Sequence, residues 1–391
     1  ASWVALSTPF HLAGQGWYNN TIWVDPTDAN RILVGGLDNY RSTDGGNTFT
    51  KVSQWQCAPQ QAHADNHAIV EASDFNASTV RTVYWGNDGG VYKAASVDAL
   101  GTPVGCTASG WSNLNNGLAI TQFYGVGATA AGAGAIYGGT QDNGSLKWTG
   151  SGTDWVTVFG GDGGASAADP ADANYLYGEY VYLRLHRSTN GAAASPSASY
   201  IYSGITDAAS AEANFIAPFT LDPNNSSRLY GGAKRLWVSN NVKAAPPTWA
   251  IAKAQATDRD TSVTIDPYWT YISAVAVAPG SPDVMYVGHN DGRVFKTTNA
   301  TAATPSWTSL TCASPAYPVF FRQVLRLLVE PGNANVVYVG HGGYSNANLW
   351  RLDSSGATTC TSIGSGLPAS PVRGIARHPT QATWLYAGTE V

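Results

Sequence analysis

Charge is what this sequence has least of. Only 12% of its 391 residues are charged, 21 basic against 26 acidic, for a net of −5. No basic run occurs, so nucleic acid, whose phosphates call for clustered Lys and Arg, is excluded as a partner. Long apolar runs are also lacking. Stretches such as "VLRLLV" are strand-sized, far short of the ~18 residues of a membrane-spanning helix. Segments with a 3.6-residue apolar period are absent, which excludes a helical bundle. What the chain does have is 43 Gly, 14 Trp and 20 Tyr, a turn-rich, aromatic-rich β composition.

The chain begins at Ala1 without a leader, so the expectation is a removed signal peptide or a piece of a longer product. Four Cys point to an oxidising compartment, extracellular or periplasmic. The two intervals Cys57 to Cys106 and Cys312 to Cys360 are nearly equal and match the repeat below. They predict the disulfides Cys57–Cys106 and Cys312–Cys360; four free thiols are the alternative.

One phrase recurs, an apolar pair ending in Gly and followed by a polar cluster: "RILVGGLDN", "TVYWGNDGG", "AIYGGTQDNG", "YLYGEYVY", "RLYGGAKRL", "VMYVGHNDG", "VVYVGHGGY" and "WLYAGTEV". Its aromatic column runs Leu33, Tyr84, Tyr137, Tyr177, Tyr230, Tyr286, Tyr338 and Tyr386. A strand-rich repeat of roughly 40–50 residues predicts an all-β fold, a β-propeller of four-stranded antiparallel blades, seven or eight in number. The reading is one propeller over residues 1–391, with seven full repeats and an incomplete eighth. "SWVALS" at the N-terminus then reads as an orphan fourth strand that closes the ring. Glu179 stands where the column otherwise has Gly, so a role other than Gly's is expected there.

The stretch Ser42 to Phe49, "STDGGNTF", fits the pattern S-x-D-x-G-x-T-aromatic, with degenerate copies at Ser188, Ser239 and Thr297. On these residues the chain resembles the Asp-box, or bacterial-neuraminidase-repeat, propellers, in their sortilin-like and xyloglucanase-like branch. The resemblance implies secretion and a glycan or protein ligand. The box itself reads as structural, its Asp accepting backbone N–H groups in a tight hairpin.

Counting strands puts the loops between second and third strands on the same face as those between a fourth strand and the next first strand. The candidate site residues gather there. They are Trp17, Tyr18, Asp88, Tyr124, Gln141, Asp142, Asn143, Lys234, Arg235, His289, Asp291 and Tyr317 for ligand binding, with Trp269 as a further platform and Asp260 as a further carboxylate. Sugar rings stack on aromatics, and glycoside hydrolysis needs two carboxylates flanking the scissile bond. The candidate acid and base are Asp65 and Asp162, tuned by His63 or His67. No arginine triad of the sialidase kind is marked, since Arg235, Arg259, Arg322 and Arg326 are scattered. "QAHADNHA" places His63, Asp65 and His67 at alternate positions, on one side of an extended chain. That is also ligand chemistry for a structural calcium or another divalent metal, although no specific zinc motif is present. Three readings of this face stay open: a glycosidase, a module binding a polysaccharide, oligosaccharide or peptide, and a structural portion of a larger secreted protein.

Overall fold

A computed structural model describes residues 3–391 except 119, 130, 132–133, 194–196, 256–266, 314, 320 and 382. The chain divides into two compact units, Ala1–Thr121 and Gln122–Val391. Both are built of four-stranded antiparallel sheets whose strands pair in chain order. Such a meander is the propeller blade. The first unit holds blades 1 and 2, at 21–51 and 66–113. The second holds blades 3 to 7, at 123–159, 166–200, 219–253, 272–309 and 324–362, and a two-stranded sheet at 372–389. No α-helix occurs among the described residues. The repeat is thus seven complete blades and two strands of an eighth. The described residues 3–7 of "SWVALS", read above as a strand, form none; the Ser7 N–H instead donates to the Gly46 carbonyl in a turn of blade 1.

The second strands of blades 1, 4 and 6 are buried at every position, hence on both faces, and that burial is what the recurring phrase records. Met285–His289 is buried at all five positions, whereas the fourth strand Thr359–Ser362 is buried only at Cys360. Tyr137, Tyr177, Tyr230 and Tyr286 of the column are fully buried. The Tyr286 hydroxyl reaches into blade 7 and donates to the Ala334 carbonyl at 2.7 Å. The Gly that follows lets the next first strand approach closely. A Cβ at Gly232 would meet Ile272 Cγ2 at 2.6 Å, and one at Gly340 would meet the Val372 carbonyl at 2.6 Å.

A hydrogen bond between neighbouring blades accompanies that approach. The residue after the column Gly accepts from the next blade's leading segment: Gly36 from Asn66 N–H at 2.9 Å, Thr140 from Gly163 at 2.8 Å, Ala233 from Ile272 at 2.8 Å. Blade 4 departs from the pattern at Glu179, which is fully buried. One carboxylate oxygen accepts from Leu183 N–H at 2.8 Å and Ala217 N–H at 2.9 Å; the other accepts from Ala217 at 3.0 Å and Ala165 at 3.4 Å. The carboxylate takes the place of a backbone carbonyl as the bridge between blades. Burial raises its pKa to about 8, against the lowering effect of those N–H groups.

The "STDGGNTF" stretch closes the hairpin between the third and fourth strands of blade 1. Asp44 accepts from Thr48 N–H at 2.9 Å and from the Thr48 hydroxyl at 2.6 Å, and Gly46 N–H donates to Ser42 Oγ at 2.8 Å. These bonds hold the Asp44 carboxyl low, at about 2. The degenerate copies keep the geometry with an amide: Asn241 accepts from Thr248 N–H and Asn299 from Ser306 N–H, both at 2.9 Å. Both expected disulfides are present, Cys57–Cys106 in the first unit and Cys312–Cys360 in the second. Each ties the segment after one blade to the outer part of the next.

Candidate functional site

In the first unit, "QAHADNHA" is not extended throughout. Its strand starts at Asn66, and Asp65 has φ of 62°, in the left-handed region. That turn breaks the alternation, so the His63, Asp65 and His67 side chains do not share one side as expected. Asp65 turns inward and is 6% exposed. Its Oδ1 accepts from Gln15 Nε2 at 3.1 Å and from the Asn19 amide. Burial raises the Asp65 pKa; Asn19 opposes this and the nearby Asp88 charge adds to it. His67 Nε2 is 2.8 Å from Asp88 Oδ1, and the Tyr18 hydroxyl donates to Asp88 Oδ2 at 2.7 Å. The Tyr18 ring meets His67 edge-on at 5.0 Å, and Trp17, 85% exposed, stands 5.6 Å from Tyr18. His63 is half-buried, with Nδ1 3.4 Å from the Ala64 carbonyl.

Asp65 and Asp88 each bring a carboxylate oxygen within 4.8 Å of the other. The partner that the first unit itself gives Asp65 is therefore Asp88. Their settings differ: one is buried among amides, and the other is bonded to an imidazole and a phenol. A divalent cation would draw on the same oxygens.

The second unit holds the remaining expected residues. Asp162 accepts from the Asp142 N–H at 3.0 Å, with Asp142 itself at a positive φ of 59°. The Gln141 N–H donates to the Gln122 carbonyl, and Asn143 Nδ2 donates to the Gln141 carbonyl, so these three residues shape one turn. Lys234 pairs with Glu212, and Arg235 pairs with Asp207 at 3.3 Å while lying over Trp237. Three expected ligand residues are instead buried. His289 is inaccessible and bonded to the Thr270 carbonyl at 2.6 Å. Asp291, 1% exposed, pairs with Arg293 at 2.8 Å. Tyr317, 3% exposed, packs on Trp350 and reaches His341. All three come from the expected loops, but those loops fold back and bury their side chains. Asp260 and Arg259 lie outside the described residues.

What the second unit opens to solvent is an aromatic cleft of about 340 Å³. Tyr268 and Trp269 come from the turn Pro267–Thr270, and Phe321 and Tyr344 from loops flanking the first two strands of blade 7. Trp269 meets Tyr268 at 5.8 Å and Phe321 at 5.6 Å, both edge-on. Phe321 is held at φ of 60°, strained for an aromatic residue, with its N–H on the Asp291 carbonyl at 3.0 Å. Its ring, 54% exposed, lies on the cleft wall. Asn290, Gln323, Arg322, Arg373 and Glu390 supply polar edges. Arg373 pairs with Glu390, which also accepts from the Tyr344 hydroxyl. The cleft shares Tyr268, Gln323, Leu325 and Arg373 with a second cavity of about 420 Å³, a channel lined by first strands of successive blades and by Tyr124. Of these residues sequence reasoning marked Trp269 and Tyr124. The signal for the others was present in the aromatic-rich loops "DPYWTY" and "VFFRQV".

No protein-family model matches the chain, and no curated protein matches it in sequence. Solved structures similar to it include the β-propeller domain of Cps50 (Swd1) from Myceliophteria thermophila, at 11% identity and a TM-score of 0.48, over 83% of this chain and 94% of that one. YCF48 from Cyanidioschyzon merolae is similar at 12% identity and a TM-score of 0.42, over 91% and 88%. A GH74 xyloglucanase from Xanthomonas campestris is similar at 18% identity and a TM-score of 0.29, over 93% of this chain but 61% of that enzyme. The class of this protein, an all-β chain of four-stranded propeller blades, rests on the strand pairing described above. What it binds has to be argued from the cleft.

Proposed function

We propose that the protein binds a carbohydrate, with the aromatic cleft of the second unit as the docking site. The observation that carries this is the set of four rings, Tyr268, Trp269, Phe321 and Tyr344, around one open cleft edged by amides and guanidinium groups. Sugars present apolar C–H faces to rings and hydroxyls to such polar edges. Calorimetric titration with a panel of plant and microbial oligosaccharides tests it. At least one glycan binds, and Trp269→Ala weakens that binding about tenfold or more, as loss of a stacking aromatic does. A panel with no binder, or an unchanged affinity in Trp269→Ala, sinks the proposal. A peptide ligand for the same cleft is then the reading that replaces it.

Hydrolysis is the second reading, favoured by the Asp65–Asp88 pair. Retaining glycosidases set their two carboxyl groups about 5–5.5 Å apart, one raised in pKa and one ionised. Asp65 has the buried, raised setting of the acid; His67 and the Tyr18 hydroxyl bond Asp88, the other carboxyl of the pair. New reducing ends released by the protein, and abolished in Asp88→Asn, would establish it; release abolished only in Asp162→Asn would refute the Asp65–Asp88 pair. The two disulfides fit the extracellular or periplasmic setting in which a polysaccharide is met.

A further inference from the structure

Arg326 lies on the first strand of blade 7, Val324–Glu330, and its exposed side chain lines the channel. It makes no hydrogen bond or ion pair with any described residue. Every other described arginine of the second unit does. Arg187, for example, donates to the Val242 and Ala244 carbonyls, Arg228 pairs with Asp222, and Arg377 pairs with Glu330. Arg322 on the adjoining cleft wall bonds only neutral groups, the Asn346 carbonyl and the Asn348 side-chain oxygen. Among the described lining residues of cleft and channel, three arginines face a single carboxylate, Glu390. The chain as a whole is negative, at −5. A positive cavity on an acidic protein is a local arrangement rather than a spillover of net charge.

From this we infer that the cleft and channel together recognise an acidic glycan. The rings take sugar faces, and Arg326 takes an oxyanion carried by the sugar. The inference rests on the glycan-binding reading above and adds the class of glycan. Its physical basis is the missing counter-charge: Arg326 is exposed to the channel and no acid meets it there. A guanidinium so placed gains a charge-assisted, bidentate pair from an anion that enters the cavity. Arg322 and Arg373 at the mouth add long-range attraction, and Glu390 prevents Arg373 from being a second bare charge. A carboxylate and a sulfate ester both fit the fork of a guanidinium. The source of the oxyanion is therefore for experiment to name.

The test is titration of the whole chain with four probes: a galacturonate hexasaccharide, its carboxyl-reduced neutral form, a sulfated form of that neutral hexasaccharide, and poly-L-glutamate. An acidic hexasaccharide binds at least tenfold tighter than the neutral one, with the better of the two naming the oxyanion. Its advantage shrinks as salt is raised from 20 to about 300 mM, as charge pairing requires. Arg326→Gln removes the advantage, while Trp269→Ala weakens acidic and neutral probes alike. Because Arg326 holds no partner, its Gln variant melts within ~2 °C of the parent. Equal binding of acidic and neutral forms overturns the inference and leaves glycan binding intact. Binding of poly-L-glutamate as tight as that of the acidic sugars overturns the assignment to a glycan. No binding of any hexasaccharide overturns the inference, and the oligosaccharide panel above then decides the glycan-binding reading. Should Arg326→Gln fail to fold, the salt dependence and the acidic-to-neutral ratio of the parent protein decide alone.

Discussion

Replacing Glu179 by Gln changes one oxygen for an NH₂ group at nearly constant volume, so it isolates the hydrogen bonding. Three backbone N–H groups converge on the carboxylate, those of Leu183, Ala217 and Ala165. The amide oxygen can keep Leu183 and one bond to Ala217. The NH₂ then faces the Ala165 N–H, donor against donor, in a fully buried site. A buried donor left without an acceptor costs about 1–3 kcal/mol, and that is the expected loss for Glu179→Gln in urea unfolding. Glu179→Ala loses all three acceptors and leaves a cavity, so its loss is larger, about 3–5 kcal/mol. The pH dependence gives an independent reading. With the folded pKa raised to about 8, folded protein holds a proton that unfolded protein has released over the window from the ordinary Glu value, near 4.5, up to about 8. The unfolded state binds fewer protons there, so this group's contribution to stability falls as pH rises through that window and is level below it. Glu179→Gln cannot titrate. The gap between parent and variant is therefore widest near pH 5 and narrows toward pH 8. A variant within 0.5 kcal/mol of the parent at pH 5, judged against the ~1 kcal/mol of a typical net hydrogen bond, would refute the bridge. A gap that stays constant between pH 5 and 8 would refute the raised pKa.

Three further outcomes follow from the same structure. Cys57→Ser in the oxidised protein removes a cross-link closing a long loop in the first unit and lowers stability by about 2–4 kcal/mol; an unchanged urea midpoint would show that the cross-link contributes nothing. Gly232→Ala places a methyl against Ile272 across a packed boundary and costs ~1–3 kcal/mol as overpacking, whereas the same change at exposed-turn Gly280, which has nothing within 4 Å but φ of 76°, acts through backbone strain alone. His341, buried and lowered to about 4 by desolvation, stays neutral in the fold. Its contribution is complete above the unfolded value near 6.5 and is lost as pH falls through that window, so His341→Gln flattens the acid side of the melting-temperature profile; a slope that persists assigns the acid loss to other groups.

The blade was legible because two-sided burial writes itself into sequence. A second strand enclosed on both faces must be apolar, must end in a residue small enough for the next blade to approach, and recurs with each blade. Leu33, Tyr137, Tyr230 and Tyr286 obey this, and all are fully buried. The Asp-box hairpin was legible for the same reason: Ser42, Asp44 and Thr48 bond one another within seven residues, so nothing distant decides the outcome. Glu179 was visible as an exception, but its role was not. Leu183 lies four residues away, while Ala217 lies in the next blade's leading segment, and only the packed fold brings its N–H to the carboxylate.

The site was less legible because strand counting places a loop on a face without saying which way its side chains turn. His289, Asp291 and Tyr317 have the residue types of a ligand surface, yet each is satisfied internally, by the Thr270 carbonyl, Arg293 and the His341–Trp350 pair. Asp65 shows how little chain is needed for that reversal. One residue at φ of 62° converts three side chains at alternate positions into one buried acid flanked by two others. Arginines show the converse error. Arg322 and Arg326 are separated by four residues and Arg373 by about one blade, so along the chain they look scattered. A propeller superimposes positions one repeat apart, and a strand returns to the same side at every second residue. Arg373 takes the place in its strand that Leu325 has in blade 7, beside Arg326, and Arg322 precedes that strand, so all three line one cleft and channel. Charges in a repeat fold therefore have to be compared by their place within the repeat, and by that measure Arg326 of blade 7 stands out because its neighbours supply no acid to meet it.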